Sequence, residues 1–230
     1  KEEKMDYTVD FKGSYSMLRV RLNGGESIKS EPGSMLSMSG NIEIQTDTGG
    51  GFLKAVKRSF LGGESFFMNT FYASSEAEVC LAPELPGDIE VVDINSELFV
   101  QSTSFLACDT GIDMDTRFGG MKSFFSGEGL FMLHLRGSGR VAVSSFGAIF
   151  KKYIAPGEVL TVDTGHIVAF DGSVSYSIDK FGSWSSTILG GEGLVCRFTG
   201  PGNVYIQTRN VPAFIDWIKG YIPTRETGSR

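Results

Sequence analysis

Two histidines and three cysteines are the whole supply of imidazole and thiol in this 230-residue chain. Cys80, Cys108 and Cys196 lie far apart, each inside an apolar run. An odd, widely spaced set of this kind is no disulfide framework; it predicts three reduced, buried thiols and a reducing, cytoplasmic compartment. His134 and His166 have no cysteine at ligand spacing, so a zinc site of the ordinary kind is not expected, and the sequence assigns no metal and no cofactor. Long apolar runs are also missing. Nothing approaches the roughly 18 uncharged apolar residues of a membrane-spanning helix, and the opening KEEKMDYTVDFKG lacks the apolar core of a secretory signal. Basic charge is short as well. With 21 Lys and Arg against 27 Asp and Glu, the net charge is −6, and the pI of about 5.0 is the opposite of a phosphate-binding footprint. Nucleic acid is therefore not an expected partner, and Lys54, Lys57, Arg58, Lys151 and Lys152 read as solubilising charges. There is no G-x-S-x-G elbow, and neither histidine stands in a triad context. Asp163, in the turn-like DTGH, reads as an acceptor for the backbone N–H groups that follow it.

What the chain has in quantity is glycine and phenylalanine, 30 and 18 residues, a composition that favours tight turns between half-buried strands. MLRVRL at 17–22, NIEIQT at 41–46, DIEVVDI at 88–94, RVAVSS at 140–145, VLTVDT at 159–164 and NVYIQT at 203–208 alternate as strands do. Three segments carry a glutamate after glycine or serine-glycine and before a strand-like run: SFLGGESFFMNTF, SFFSGEGLFMLHL and TILGGEGLVCRF. Their glutamates, Glu64, Glu128 and Glu192, are spaced 64 residues apart. The regularity extends upstream, where 26–38, 97–108 and 158–170 each show a strand-like run, a four-residue turn and a second run. Downstream, LRGSGRVAVSS matches FTGPGNVYIQT. A fixed period outranks any local reading. The chain is thus expected to be a single all-β domain of three fused copies of one unit, 7–82, 83–145 and 146–209.

Two segments look helical instead. GFLKAVKRSF at 51–60 places Phe52, Val56 and Phe60 on one face. VPAFIDWIKGYIP at 211–223 opens with Pro212 near its first turn and closes with Gly220 and Pro223, predicting a C-terminal helix over 211–222. Phe214, Ile215, Trp217 and Ile218 on this helix are expected to cover a sheet face or the open end of a barrel.

The triplicated GGE-type segments, the VLTVDTGHIVAFD strand pair at 159–171 and the closing VPAFIDWIKGYIP resemble the altered-inheritance-of-mitochondria (twenty-four) family, over Tyr7 to Pro223. The resemblance implies a fold similar to the tryptophan RNA-binding attenuation protein: β-sandwich modules about a pseudo-threefold axis within one chain, with a C-terminal helix. Its yeast relatives imply a link to mitochondrial membrane organisation. It supplies no catalytic residues.

Chemistry is less legible than architecture. A phosphate cradle needs a glycine loop leading into a helix, whereas the glycine pairs here precede strand-like runs, so glycine reads as a turn or bulge residue. Glu64, Glu128 and Glu192 read either as turn acceptors or as an axial acidic ring. One acid per unit is a sparse ligand set for a hard cation, which favours the first reading. Before each glutamate lies an apolar stretch beside glycine, bringing Phe52, Leu53, Phe60, Met121, Phe124, Phe125, Trp184, Ile188 and Leu189 into equivalent places. These stretches are expected to form either a core plug or one interaction surface. Two functional classes follow. The favoured one is a non-enzymatic scaffold or binding protein that contacts a protein partner, a second copy or a membrane surface. The other is an enzyme or small-ligand binder using the axial acids. A concave site with perturbed acids would mark the second.

Overall fold

The computed structural model describes residues 5–46, 67–115, 131–180 and 194–222. Among them are nineteen strands and one α-helix, so the chain is nearly all β. The first third carries β1 (Asp6–Asp10), β2 (Met17–Leu22), β3 (Ser27–Ser30), β4 (Met35–Ser39), β5 (Ile42–Thr46), β6 (Asn69–Ala73) and β7 (Ala77–Leu81). Next come β8 (Ile89–Ile94), β9 (Glu97–Gln101), β10 (Phe105–Asp109), β11 (Asp113–Asp115), β12 (Met132–Arg136) and β13 (Gly139–Ser144). The last third holds β14 (Ile149–Ile154), β15 (Val159–Asp163), β16 (Ile167–Asp171), β17 (Ser175–Lys180), β18 (Leu194–Thr199) and β19 (Gly202–Gln207), followed by helix α1 (Val211–Lys219).

The strands form four sheets, ordered β1-β2-β7-β4, β5-β6-β3-β10-β13-β8, β11-β12-β9-β16-β19-β14 and β15-β18-β17. Alternation explains the outer strands. In β2, Leu18, Val20 and Leu22 are buried while Arg19 and Arg21 face outward. Arg19 pairs with Asp10, and Arg21 reaches Glu78 at 3.4 Å from the opposing position of β7. Central strands are apolar on both faces instead; Val141, Ala142 and Val143 of β13 are all fully buried. Burial is continuous from one third of the chain to the next. Leu106, Ala107 and Ala142 pack with Leu18, Val20 and Phe71, and Val168, Ala169 and Tyr205 pack with Leu98, Leu133 and Val141.

The turns at 31–34, 102–104 and 164–166 carry the chain from one sheet to another. β3 lies in the first six-stranded sheet and β4 in the four-stranded one. β9 and β10 are likewise divided between the two six-stranded sheets, and β15 and β16 between the three-stranded sheet and the second six-stranded one. At the third turn the Asp163 carboxylate accepts from Gly165 N–H at 2.8 Å, the role its sequence context predicts.

Glycine at the later turns is required by packing. A Cβ on Gly202, at φ +149°, would sit 2.5 Å from Val174 Cγ2. One on Gly139 would sit 2.9 Å from Asp109 Oδ2, the oxygen that accepts from Arg140 N–H at 2.9 Å. Asp171 does the same for Asn203 N–H at 2.8 Å. The GSG and GPG sequences thus let an aspartate close over the second amide of the next strand.

Candidate functional site

A cleft of about 370 Å³ draws on all three parts of the chain. Glu31, in the turn after β3, is on its wall with Glu84. Gln101 ends β9 and Thr103 lies in the turn after it, Gly165 is in the turn before β16, Ser145 follows β13 and Gln207 ends β19. Val211, Pro212 and Ile215 of α1 form its roof.

Most of the polar lining is tied down. The Gln207 carboxamide accepts from Phe146 N–H at 2.9 Å and donates to Gly165 O at 3.0 Å. His166 Nδ1 lies 2.8 Å from Gln207 O; a carbonyl only accepts, so this nitrogen carries the proton. Ser145 Oγ donates to Gly147 O at 2.6 Å and accepts from Asp88 N–H at 3.1 Å. Gln101 Oε1 accepts from Ser104 Oγ at 3.4 Å. Such satisfied groups fix the turns and have little left to offer a ligand.

Glu31 differs. Among the described residues no donor reaches its carboxyl group, and burial, reinforced by the charge of Glu84, pushes its pKa up to about 7. Below that value Glu31 is neutral within a largely apolar lining; above it, Glu31 is a carboxylate.

Helix α1 forms for local reasons. The Asn210 side chain accepts from Ala213 N–H at 3.2 Å as the N-cap, and Pro212 occupies the first turn, where its missing N–H costs nothing. Phe214 meets Phe146 edge-on at 5.1 Å, and Trp217 lies 5.1 Å from Tyr221. No residue of the helix is buried. Of the two roles expected for Phe214, Ile215, Trp217 and Ile218, covering a sheet face or closing the open end of a barrel, the first is not seen: among the described residues the contact with Phe146 and the rim of the cleft hold the helix, and Trp217 (61% exposed) and Tyr221 (74%) face solvent.

A second polar cluster ties the N-terminal strand to the middle of the chain. Tyr7 OH donates to Asp109 Oδ1 at 2.8 Å, the Arg140 guanidinium lies 4.1 Å from the centre of the Tyr7 ring, and Arg140 donates to Met5 O at 2.6 Å. Burial, then Asp109, pushes the Tyr7 hydroxyl pKa well above its ordinary value. Every group here is paired, which marks a clasp between sheets.

Glu64, Glu128 and Glu192 lie outside the described residues, as do Phe52, Leu53, Phe60, Met121, Phe124, Phe125, Trp184, Ile188, Leu189 and the helix expected over 51–60. Cys80, Cys108 and Cys196 are buried and unbridged; burial raises the thiols of Cys108 and Cys196 to about 12, so they are inert at neutral pH. His134 stacks on Phe99 at 4.5 Å and faces Glu97 at 3.5 Å, far from any nucleophile context. Among the described residues no three His, Cys, Asp or Glu side chains group as metal ligands, and no helix is long and apolar enough to cross a membrane. The sequence gives no hint of Glu31, because SEPGS reads as a solvated turn; the residues at 83–85 and α1, distant in sequence, are what cover it.

Sheets that exchange strands at short turns, buried inert thiols and a terminal helix set on the rim of a cleft define an all-β protein built around packing and surface. The chain belongs to the mitochondrial biogenesis AIM24 family, whose model matches residues 7–209. It is 30% identical to an uncharacterised protein of Streptococcus pyogenes serotype M6, across 97% of this chain and 93% of that protein. It is also similar to the crystal structure of a Streptococcus pyogenes protein, with a TM-score of 0.79 and 28% identity over 95% of this chain and the whole of that one.

Proposed function

We propose that the chain is a non-enzymatic scaffold that binds through apolar surface, its contact site being the outward face of α1 together with the mouth of the cleft beneath it. The observation that carries this reading is the helix itself. Nine residues are capped and held in place, yet Ile215, Trp217, Tyr221 and Ile222 are left facing water. Contiguous aromatic and aliphatic surface of this kind is characteristic of contact sites for proteins or lipid headgroups. Ile215 lies on both the helix surface and the cleft wall, so a side chain reaching in from a partner would meet an apolar lining. Most polar groups of the lining, Glu31 excepted, are spent on the fold, and that favours contact over chemistry. Unbridged, inert thiols fit a reducing compartment.

The test is the double substitution Trp217→Ser with Tyr221→Ser. Both residues are exposed, so the melting temperature should hold within about 2 °C. Flotation with phosphatidylcholine vesicles and sedimentation velocity are compared for the two proteins. At least one of vesicle binding and self-association should weaken several-fold. If neither changes, α1 is not a contact surface and the reading fails.

A further inference from the structure

Each six-stranded sheet is built by the same rule. In the first, β5-β6-β3 is joined to β10-β13-β8 through the β3·β10 pair; in the second, β11-β12-β9 is joined to β16-β19-β14 through β9·β16. The two smaller sheets are the two halves of this pattern left apart. β17-β18-β15 corresponds to the first half and β4-β7-β2 to the second, with β1 added at its edge. The missing element is a pair between β15 and β4. Among the described residues neither strand has a partner on that edge, and within one chain they do not pair with each other.

The strand–turn–strand segments correspond closely. A bulge interrupts β4·β7 between Met35 and Ser37, β10·β13 between Phe105 and Ala107, and β16·β19 between Ile167 and Ala169. Met35, Leu36 and Met38 therefore occupy the places of Phe105, Leu106 and Cys108, and of Ile167, Val168 and Phe170. The latter six are all 0% exposed, whereas Met35, Leu36 and Met38 are 41%, 62% and 45% exposed. The sequence MLSMS has no charge and no proline, the usual guards of a free edge. β15 is VLTVD, uncharged up to Asp163 at its end and without proline, and its Val159 is 55% exposed.

We propose that β15 of one copy pairs antiparallel with β4 of a second copy, making between chains the junction already made twice within the chain. This rests on reading the chain as a scaffold, and it names the partner. Carrying over the register of Ala107 opposite Ser30 and Ala169 opposite Val100 sets Val162 against Ser37, Thr161 against Met38 and Leu160 against Ser39 of the next copy. Glu31 N–H donates to Leu106 O at 2.9 Å across the first junction; its counterpart is Asp163 N–H to Leu36 O. The product is a six-strand pattern with β1 at its end. Since the two edges differ, the contact is head-to-tail, and it propagates until it closes into a ring or grows as a filament.

Two edge-blocked chains test this. Leu36→Lys with Met38→Lys charges β4; Val159→Lys with Thr161→Lys charges β15. All four side chains face solvent in the single chain, so each variant should keep the wild-type melting transition; if a double variant does not, Met38→Lys and Thr161→Lys replace the pairs. By light scattering after size exclusion, wild type should have a mass several times the 24.9 kDa chain, and each variant alone should be a monomer. Mixed in equal amounts, the two should give a dimer and nothing larger, because one intact β4 and one intact β15 remain. A monomeric wild type, variants as large as wild type, or monomers that stay apart on mixing would each overturn the proposal. The substitutions leave α1 untouched, so such a failure is separable from that of the contact surface tested through Trp217 and Tyr221.

Discussion

Glu31 shows how a single side chain takes its properties from distant sequence. It stands in a turn, where a carboxylate is ordinarily hydrated, yet the cleft under α1 raises its pKa to about 7. The consequence for stability has a definite sign. The native state holds this proton more tightly than the unfolded chain, so the contribution is fully present below the unfolded value of 4.5 and is lost as pH rises through about 7. Glu31→Gln should remove that loss. Chemical denaturation at pH 8 should find the variant more stable than wild type by about 1–3 kcal/mol, with the two converging near pH 4.5. Equal pH profiles would show that Glu31 is as well solvated as a surface acid. Asp163 is the contrasting residue: its capping of the following turn is legible in DTGH because donor and acceptor are two residues apart.

At the scale of elements, strands were more legible than their surroundings. β2 matches the alternation of MLRVRL in both bounds, and β5, β8, β13, β15 and β19 match theirs within a residue, because period-two burial is written locally. Helix α1 was legible from Pro212, Gly220 and Pro223, but its Asn210 cap and its exposure were not; an apolar helix reads the same whether it covers a sheet or faces water. MLSM, FLAC and IVAF likewise look alike as sequence, and only the sheet order separates the exposed strand from its buried counterparts. That difference can be measured. In dilute solution Leu106→Ala should cost about 2–5 kcal/mol in chemical denaturation, as a cavity in a packed core does, whereas Leu36→Ala should cost no more than about 0.5 kcal/mol. Comparable costs would mean that β4 is already covered within the single chain. Glu64, Glu128 and Glu192 and the apolar stretches before them lie outside the described residues.

In its sheet order the molecule leaves two unlike free edges, β4 and β15, among the described residues. Its interior junctions bury Phe105–Cys108 of β10 and Ile167–Phe170 of β16; at the terminal edges the matching Met35, Leu36 and Met38 of β4 are exposed, as are Val159 and Thr161 of β15. β4, with neither charge nor proline, is unguarded as an edge strand, and β15 carries charge only at Asp163. Association by β4 and β15 would give the scaffold a repeating surface on which every copy presents one α1, so that weak contacts by Trp217 and Tyr221 add through multivalency. The most direct measurement is amide hydrogen exchange by mass spectrometry on the unmodified chain, at low and high protein concentration. Peptides covering residues 35–39 and 159–163 should become protected together as concentration rises, while β10 and β16 stay protected throughout. Fast exchange in β4 and β15 at every concentration would contradict the head-to-tail junction.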